Sequence, residues 1–174
     1  APGVPDFYQG TEIWDFSLVD PDNRRKVDYL ARRRLLASLR HAHPRELLED
    51  WQSGRIKLFV IKRLLAFRAE NQRLFLQGSY QEVPIAGEHP HSVIAFERKF
   101  DSQRLLVIVP RLTYGVGLWP TGDVWKETLL TGFKPEAHGW QDVLIQRGPI
   151  TLPDRVSLST ILADLPFAVL FYPG

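Results

Sequence analysis

The spacing of apolar residues changes once along this 174-residue chain, close to Gly78. Before that point, apolar residues such as Ile56, Phe59 and Val60 recur at three- and four-residue spacing, which is typical of helices. After it, short runs rich in β-branched residues alternate with Gly, Pro and Asp, which is typical of antiparallel strands. The sequence therefore predicts a mixed α and β protein of two parts, with a boundary near residue 77.

Three helices are predicted in the first part. Asp28 stands at an N-cap position, Pro44 suits the first turn of a helix, and Ser53 caps another. The predicted spans are 29–40, 44–51 and a third helix that ends near residue 71.

The remaining apolar runs are predicted to be strands. One buried strand opens the chain at residues 4–8, and a hairpin joins 92–100 to 103–110 through Asp101 and Ser102. Four further strands are predicted at 124–131, 141–147, 156–162 and 167–172. Short strands at this spacing indicate a sandwich or small barrel.

Composition narrows the class of protein. With 44% hydrophobic residues, 24% charged residues and a net charge of +2, the chain is typical of globular proteins and lacks the basic excess of a nucleic-acid surface. It has no cysteine, which excludes disulfides and thiolate metal sites.

No apolar run approaches the ~20 residues that span a bilayer, and no signal peptide opens the chain, so we expect a cytoplasmic protein. The chain also lacks methionine. We therefore expect it to be the C-terminal part of a longer polypeptide.

Polar residues follow the first predicted strand and form a long loop over residues 9–27. The segment carries four acidic residues, two amides and two arginines without helical or strand periodicity. Asn23, flanked by Asp22, Arg24 and Arg25, offers acceptors, amide donors and guanidinium groups together. This set suits recognition of a hydroxyl-rich or anionic ligand.

Three segments of the chain carry a resemblance to a known family. They are PGVPDFYQGTEIWDFSLVDPDNRR at the start, GRIKLF at residues 54–59 and LLVIVPR at residues 105–111. Together they resemble the maltooligosyl trehalose synthase family, within the α-amylase clan of glycoside hydrolases and transglycosylases. The family usually has proline where this chain has Lys26.

The resemblance implies a fold and a reaction. Residues 1–77 would form the last βα unit and helices of a catalytic (β/α)8 TIM barrel, and residues 78–174 a C-terminal antiparallel β-sandwich. The parent enzyme would convert the reducing-end α-1,4 linkage of maltooligosaccharides to an α,α-1,1 linkage. Its catalytic carboxylates would lie on earlier strands, so none is expected in this chain, and no metal or organic cofactor is expected either. The expected partners are the maltooligosaccharide substrate and the N-terminal barrel of the same polypeptide, and we expect neither nucleic acid nor membrane as a partner.

Substrate positioning is the role left for the loop. Arg25 is the first candidate, because related clan members place an arginine there that contacts sugar near the cleaved bond. The other predicted substrate-binding residues are Asn23, Asp22, Arg24, Trp14, Gln9 and Glu12. An alternative for Asp22 and Arg25 is an ion pair that braces the loop. For Glu12, a structural ion pair with an arginine of the barrel is as well supported as a role in substrate binding. Core packing is expected for Tyr8 and Phe16.

Other classes of protein remain open from the sequence. A carbohydrate-binding module would use Trp119, Trp125 and Trp140, although aromatic residues in strands more often pack in the core. A structural domain would bind no sugar, and an amylase or α-glucosidase would share the clan. The pairs His41/His43 and His89/His91 lack further ligands and are predicted to be solvated.

Overall fold

The structure, a computed structural model, describes residues 3, 5–136, 138–145 and 148–174. It divides into two compact units among these residues, 3–65 and 66–174.

The first unit is helical. It contains α1 (Tyr29–Ser38), α2 (Pro44–Glu49) and most of α3 (Arg55–Glu70), which runs on into the second unit. The side chain of Asp28 caps α1 by accepting from Ala31 N at 2.8 Å, and the Ser53 hydroxyl accepts from Arg55 N at 3.2 Å. The three predicted helices are confirmed, although α1 stops at Ser38 and continues as a 3₁₀ turn, Leu39–His41.

The predicted strand at 4–8 is wrong for the residues that the structure describes. Residue 4 lies outside them, and residues 5–8 adopt neither strand nor helix. A strand requires a neighbour for its N–H and C=O groups, and no described strand pairs with this segment. For the same reason the expected core packing of Tyr8 and Phe16 is wrong in this chain, where they are 48% and 86% exposed.

After the end of α3, the second unit contains α4 (Gln72–Leu76) and a five-stranded antiparallel sheet. The sheet order is β1-β3-β4-β8-β6. Its strands are β1 (Ser79–Glu82), β3 (Val93–Phe100), β4 (Gln103–Pro110), β6 (Gln141–Asp142) and β8 (Ala168–Tyr172). The predicted β3–β4 hairpin is confirmed, with Asp101 at φ +51° in its turn.

A second antiparallel sheet has three short strands in the order β2-β5-β7. They are β2 (Ile85–Ala86), β5 (Leu129–Leu130) and β7 (Val156–Ser157), and helix α5 (Leu158–Ile161) follows β7 directly. The predicted strand at 156–162 is therefore mostly a helix. Ser157 lies at its N-cap position, a residue type that favours helix starts.

Two other predicted strands are shorter than expected. Within 124–131 only β5 pairs, because residues 122–125 form a 3₁₀ turn. Within 141–147 only β6 pairs, because the Asp142 carboxylate accepts from Leu144 N and Ile145 N at 2.9 and 2.8 Å and bends the chain into a turn. Residues 146 and 147 lie outside the described part of the chain.

One hydrophobic core serves both sheets of the second unit. Leu106 and Ile108 of β4, Leu130 of β5 and Val156 of β7 belong to a single buried cluster. Burial of these side chains is the main stabilising contribution to the unit. Among the described residues, no helix has the length and hydrophobicity to cross a membrane.

Candidate functional site

The loop between Gln9 and Arg25 is held by three hydrogen-bonded groups. The first is centred on the Glu12 carboxylate, which accepts from Gly10 N at 3.1 Å and from Arg32 Nε at 2.9 Å. Arg32 also donates to the carbonyl oxygens of Gly10 and Asp28. Glu12 therefore ties the start of the loop to helix α1.

Backbone geometry explains why glycine stands at the start of this loop. Gly10 has φ +95°, which disfavours other residues, and a Cβ there would lie 3.1 Å from Val27 Cγ2. Beside it, the Gln9 amide oxygen accepts from Tyr29 OH at 2.9 Å. The hydrogen bond of Gln9 joins the loop start to the first residue of α1, and Gly10 lies too close to Val27 for a side chain to fit easily.

The electrostatics around Glu12 favour its ionised form. Desolvation alone would raise the pKa of Glu12, but hydrogen bonds from the backbone and from Arg32 outweigh it and lower the pKa below the usual 4.5. The bracing contact to Arg32 is thus an ion pair in which the carboxylate stays charged.

The second group lies around Asp22, in the 3₁₀ turn Asp22–Arg24 that follows the cis peptide bond Asp20–Pro21. Asp22 Oδ2 accepts from Leu18 N at 2.7 Å, and Oδ1 pairs with the Arg25 guanidinium. The hydrogen bond from Leu18 N is the largest influence and lowers the pKa of Asp22; desolvation opposes it, and Arg25 lowers the pKa further.

Arginine side chains of this turn are open to solvent. Arg25 and Arg24 are each 72% exposed, and Arg24 pairs with Asp20. Asn23 between them is also exposed. The structure therefore brings Asp22 and Arg25 together, as in the loop-bracing alternative, while it leaves most of the guanidinium donors facing outward.

The third group fixes the Trp14 indole. Its Nε1 donates to Trp51 O at 2.5 Å, and the two indole rings meet edge to face with centroids 6.4 Å apart. Lys57 Nζ lies 5.4 Å from the Trp14 ring centroid and donates to Ile13 O at 3.2 Å. Trp14 is thus a half-buried, oriented ring with a cation near it.

Two residues of this site were not predicted as such from the sequence. Arg32 stood within a run of three arginines on a helix, and nothing in that run distinguishes the one that faces Glu12. Lys57 lies inside the GRIKLF segment, so its position in a shared motif was the available signal.

Electrostatics favour the ionised form of three carboxyl groups in the loop. The pKa values of Glu12, Asp15 and Asp22 are all lowered; for Asp15 the Ser17 hydroxyl is the main cause. A general acid in glycosyl transfer needs a raised pKa. None of these three carboxyl groups has that property.

Two of the three tryptophans considered for a binding module lie inside the second unit. Trp125 and Trp140 are 0% exposed, and their Nε1 atoms donate to Pro120 O and Glu136 O at 3.0 and 2.9 Å. Neither ring can stack on a sugar. Trp119 is half-buried, so it is the one ring of the three that the binding-module alternative keeps. Among the described residues, no group of three His, Cys, Asp or Glu side chains could hold a metal ion.

Comparison with solved structures shows that this fold is similar to part of a larger protein. The crystal structure of a maltooligosyl trehalose synthase matches 97% of this chain with a TM-score of 0.67 and 29% sequence identity, and the match covers 19% of that enzyme. No protein-family model matches the chain.

Two curated relatives are assigned as maltooligosyl trehalose synthases. They come from Mycobacterium tuberculosis, strains CDC 1551 / Oshkosh and ATCC 25618 / H37Rv. Each is 39% identical over 171 residues, which cover 98% of this chain and 19% of the relative. The chain therefore spans about a fifth of the length of the curated relatives it matches. The resemblance expected from the sequence is confirmed: nearly the whole chain is similar to a portion of maltooligosyl trehalose synthases.

Proposed function

We propose that this chain is the C-terminal portion of a maltooligosyl trehalose synthase. The observation that carries the proposal is the 39% identity over 98% of the chain to proteins of that name. The protein that contains it would cleave the reducing-end α-1,4 bond of a maltooligosaccharide. It would then rejoin the glucose through its anomeric hydroxyl as an α,α-1,1 linkage, the trehalose linkage.

The fold assignment belongs to the same proposal. Residues 1–77 would be the last βα unit and helices of the catalytic barrel, and residues 78–174 the β-sandwich. Support comes from the helices α1 to α4 in the first range and from the two antiparallel sheets that share one core in the second.

Retaining glycosyl transfer needs two carboxyl groups roughly 5 Å apart, one as nucleophile and one as acid and base. The lowered pKa values of Glu12, Asp15 and Asp22 do not suit the acid, and the resemblance implies that both carboxyl groups lie on the preceding part of the polypeptide. The isolated 174-residue chain would then be inactive, since positioning groups without a nucleophile provide little catalysis.

Arg25 would be the principal positioning residue. Its guanidinium carries five N–H donors, and the pair with Asp22 uses only part of them. With its side chain 72% exposed, Arg25 can donate to two sugar hydroxyls or to a catalytic carboxylate. Asp22, held by Leu18 N, would orient the guanidinium, with Asn23 and Arg24 beside it.

Trp14 would supply an apolar surface for a glucose ring, because its orientation is fixed by Trp51. Gln9 and Glu12 would act at the other end of the loop by holding its start against α1. A braced loop of this kind would help to exclude water, so that transfer outcompetes hydrolysis. This chemistry requires no cofactor, and a cytoplasmic location stays a prediction.

The test is product analysis with the full-length protein and maltopentaose. We expect loss of reducing ends and the NMR signals of an α,α-1,1 linkage. The purified 174-residue chain is the control and should give neither. Accumulation of glucose without the new linkage would instead indicate a hydrolase of the same clan, and the absence of any reaction would contradict the proposal.

A further inference from the structure

A polar cleft lies in the second unit, apart from the residues discussed so far. It has a volume of about 600 Å³ and is lined by residues 69–73, 100–103 and Pro173. The end of α3 and the start of α4 form one side, and the turn of the β3–β4 hairpin forms the other. We name it the hairpin cleft.

Uncommitted hydrogen-bonding groups line the hairpin cleft. Asn71 Nδ2 donates to Phe67 O at 2.9 Å, which orients the amide. No described residue hydrogen-bonds to the Gln103 amide or pairs with the Asp101 carboxylate, although Gln103 is half-buried. A half-buried amide that makes no hydrogen bond within the protein retains its capacity for a ligand or water.

The charge of the lining argues against an ionic ligand. Glu70 and Asp101 place two carboxylates there, and Arg73 places one guanidinium. Carboxylates disfavour phosphate, and the cationic side chain disfavours a metal ion. Amides, mixed charges and the half-buried Phe100 ring together match what a sugar offers, namely hydroxyl groups around an apolar ring face.

We propose that the hairpin cleft is a binding site for neutral carbohydrate, distinct from the loop of residues 9–25. The choice of an α-1,4-glucan as its ligand rests on the proposed function, whereas the carbohydrate class rests on the lining itself. Gln103 would hydrogen-bond sugar hydroxyls, and Phe100 would contact a ring face. Such a site would retain a glucan chain beside the enzyme between reactions.

The experiment is hydrogen exchange on the full-length protein with maltotriose as the probe. We expect added maltotriose to slow exchange in peptides covering residues 69–73 and 100–103. Gln103→Ala should raise the maltotriose concentration needed for that protection at least ~10-fold, which corresponds to about one lost hydrogen bond to a ligand. Gln103→Glu, which keeps the shape and removes the donors, should act in the same direction if the alanine variant folds poorly. Gln81→Ala, which changes an exposed glutamine of β1 outside the cleft, should leave protection unchanged.

Three results would overturn the inference: no protection of these peptides by maltotriose, protection that survives both Gln103 substitutions, or equal protection by sodium phosphate. The readout is independent of catalysis. Protection lost in the Gln103 variants would support the cleft even if the full-length protein formed no trehalose linkage, whereas product formation without cleft protection would remove the cleft alone.

Discussion

The two units of this chain differ in where they keep their apolar side chains. In residues 3–65 the buried apolar residues that the structure describes are few: Leu39, Leu47, Ile56, Leu58 and Phe59. The same unit exposes Phe16 and Val19 at 86% and 84%. In residues 66–174, a continuous cluster that includes Trp125, Trp140 and Leu106 is almost inaccessible to solvent.

The second unit buries its own apolar faces, whereas the first leaves several apolar side chains exposed. A domain is stable alone when its sheets and helices bury their apolar faces against one another, as the second unit does. Large exposed apolar patches usually mark surfaces that another chain segment covers. The first unit carries the residues proposed to act on substrate, and under the proposed function the preceding part of the polypeptide would cover its exposed apolar side chains.

The largest effect is expected from core truncation in the second unit. Leu106→Ala should cost about 3–5 kcal/mol of unfolding free energy in the isolated chain, because it removes a fully buried side chain. Phe16→Ala should cost less than about 0.5 kcal/mol there, since that ring is exposed. Amide exchange in urea measures both costs, in β4 for Leu106→Ala and in α1 for Phe16→Ala, and equal costs would contradict this expected difference.

The next effect concerns a buried ion pair in the second unit. Arg104 Nε lies 2.6 Å from Glu97 Oε1, and its guanidinium also packs against the rings of Phe133 and Trp140. Glu97→Ala should lower the free energy of unfolding by about 3 kcal/mol, because the buried Arg104 guanidinium loses its carboxylate partner Glu97. The double variant Glu97→Leu/Arg104→Met should recover most of that loss. If Glu97→Ala unfolds in urea like the unchanged chain, the pair is not as buried as described.

A pair of glycines separates backbone strain from steric clash. Gly87 and Gly117 share φ +112°, but a Cβ at Gly87 would lie 2.2 Å from Glu127 O, whereas nothing lies within 4 Å at Gly117. Gly117→Ala should cost about 1 kcal/mol from conformation alone. Gly87→Ala should cost at least about 2 kcal/mol more, because the backbone after β2 must move away from Glu127 O, just before β5. Similar melting temperatures for the two variants would contradict this.

The smallest effect is the pH dependence of the first unit. Because the pKa of Glu12 is lowered on folding, its contribution is complete above the unfolded value near 4.5 and is lost as the pH falls through the folded value. Partial exposure keeps this contribution below about 1 kcal/mol. Glu12→Gln should reduce the loss of α1 stability between pH 6 and pH 3, measured by exchange of the α1 amides. The same loss in both proteins would show that Glu12 does not brace the loop.

How far the sequence predicted the fold varies with the element. Periodicity and capping residues located α1 to α3 and the β3–β4 hairpin, because these depend on neighbouring residues. β1 escaped prediction because its residues are all exposed and it exists only by pairing with β3. α5 was predicted as a strand because apolar spacing over so few residues does not separate the two.

In the candidate site, too, local sequence signals were predictable and contacts between distant residues were not. Motif resemblance located the residues from Gln9 to Arg25, but nothing local indicated that Arg32 and Lys57 would reach back to Glu12 and Trp14. Those contacts span 20 or more residues and depend on where α1 and α3 lie relative to the loop. The exposure of Tyr8 and Phe16 was unpredictable for a related reason, since burial depends on what else is present to cover them.

The most direct test of the account is the turnover of maltopentaose by full-length protein with Arg25→Ala, compared with Arg34→Ala on the exposed side of α1. Loss of a positioned charged donor should lower kcat at least ~100-fold, whereas Arg34→Ala should leave kcat within about twofold. Unchanged kinetics for Arg25→Ala, in a protein that folds normally, would contradict the proposal and leave the Asp22–Arg25 pair as a structural brace.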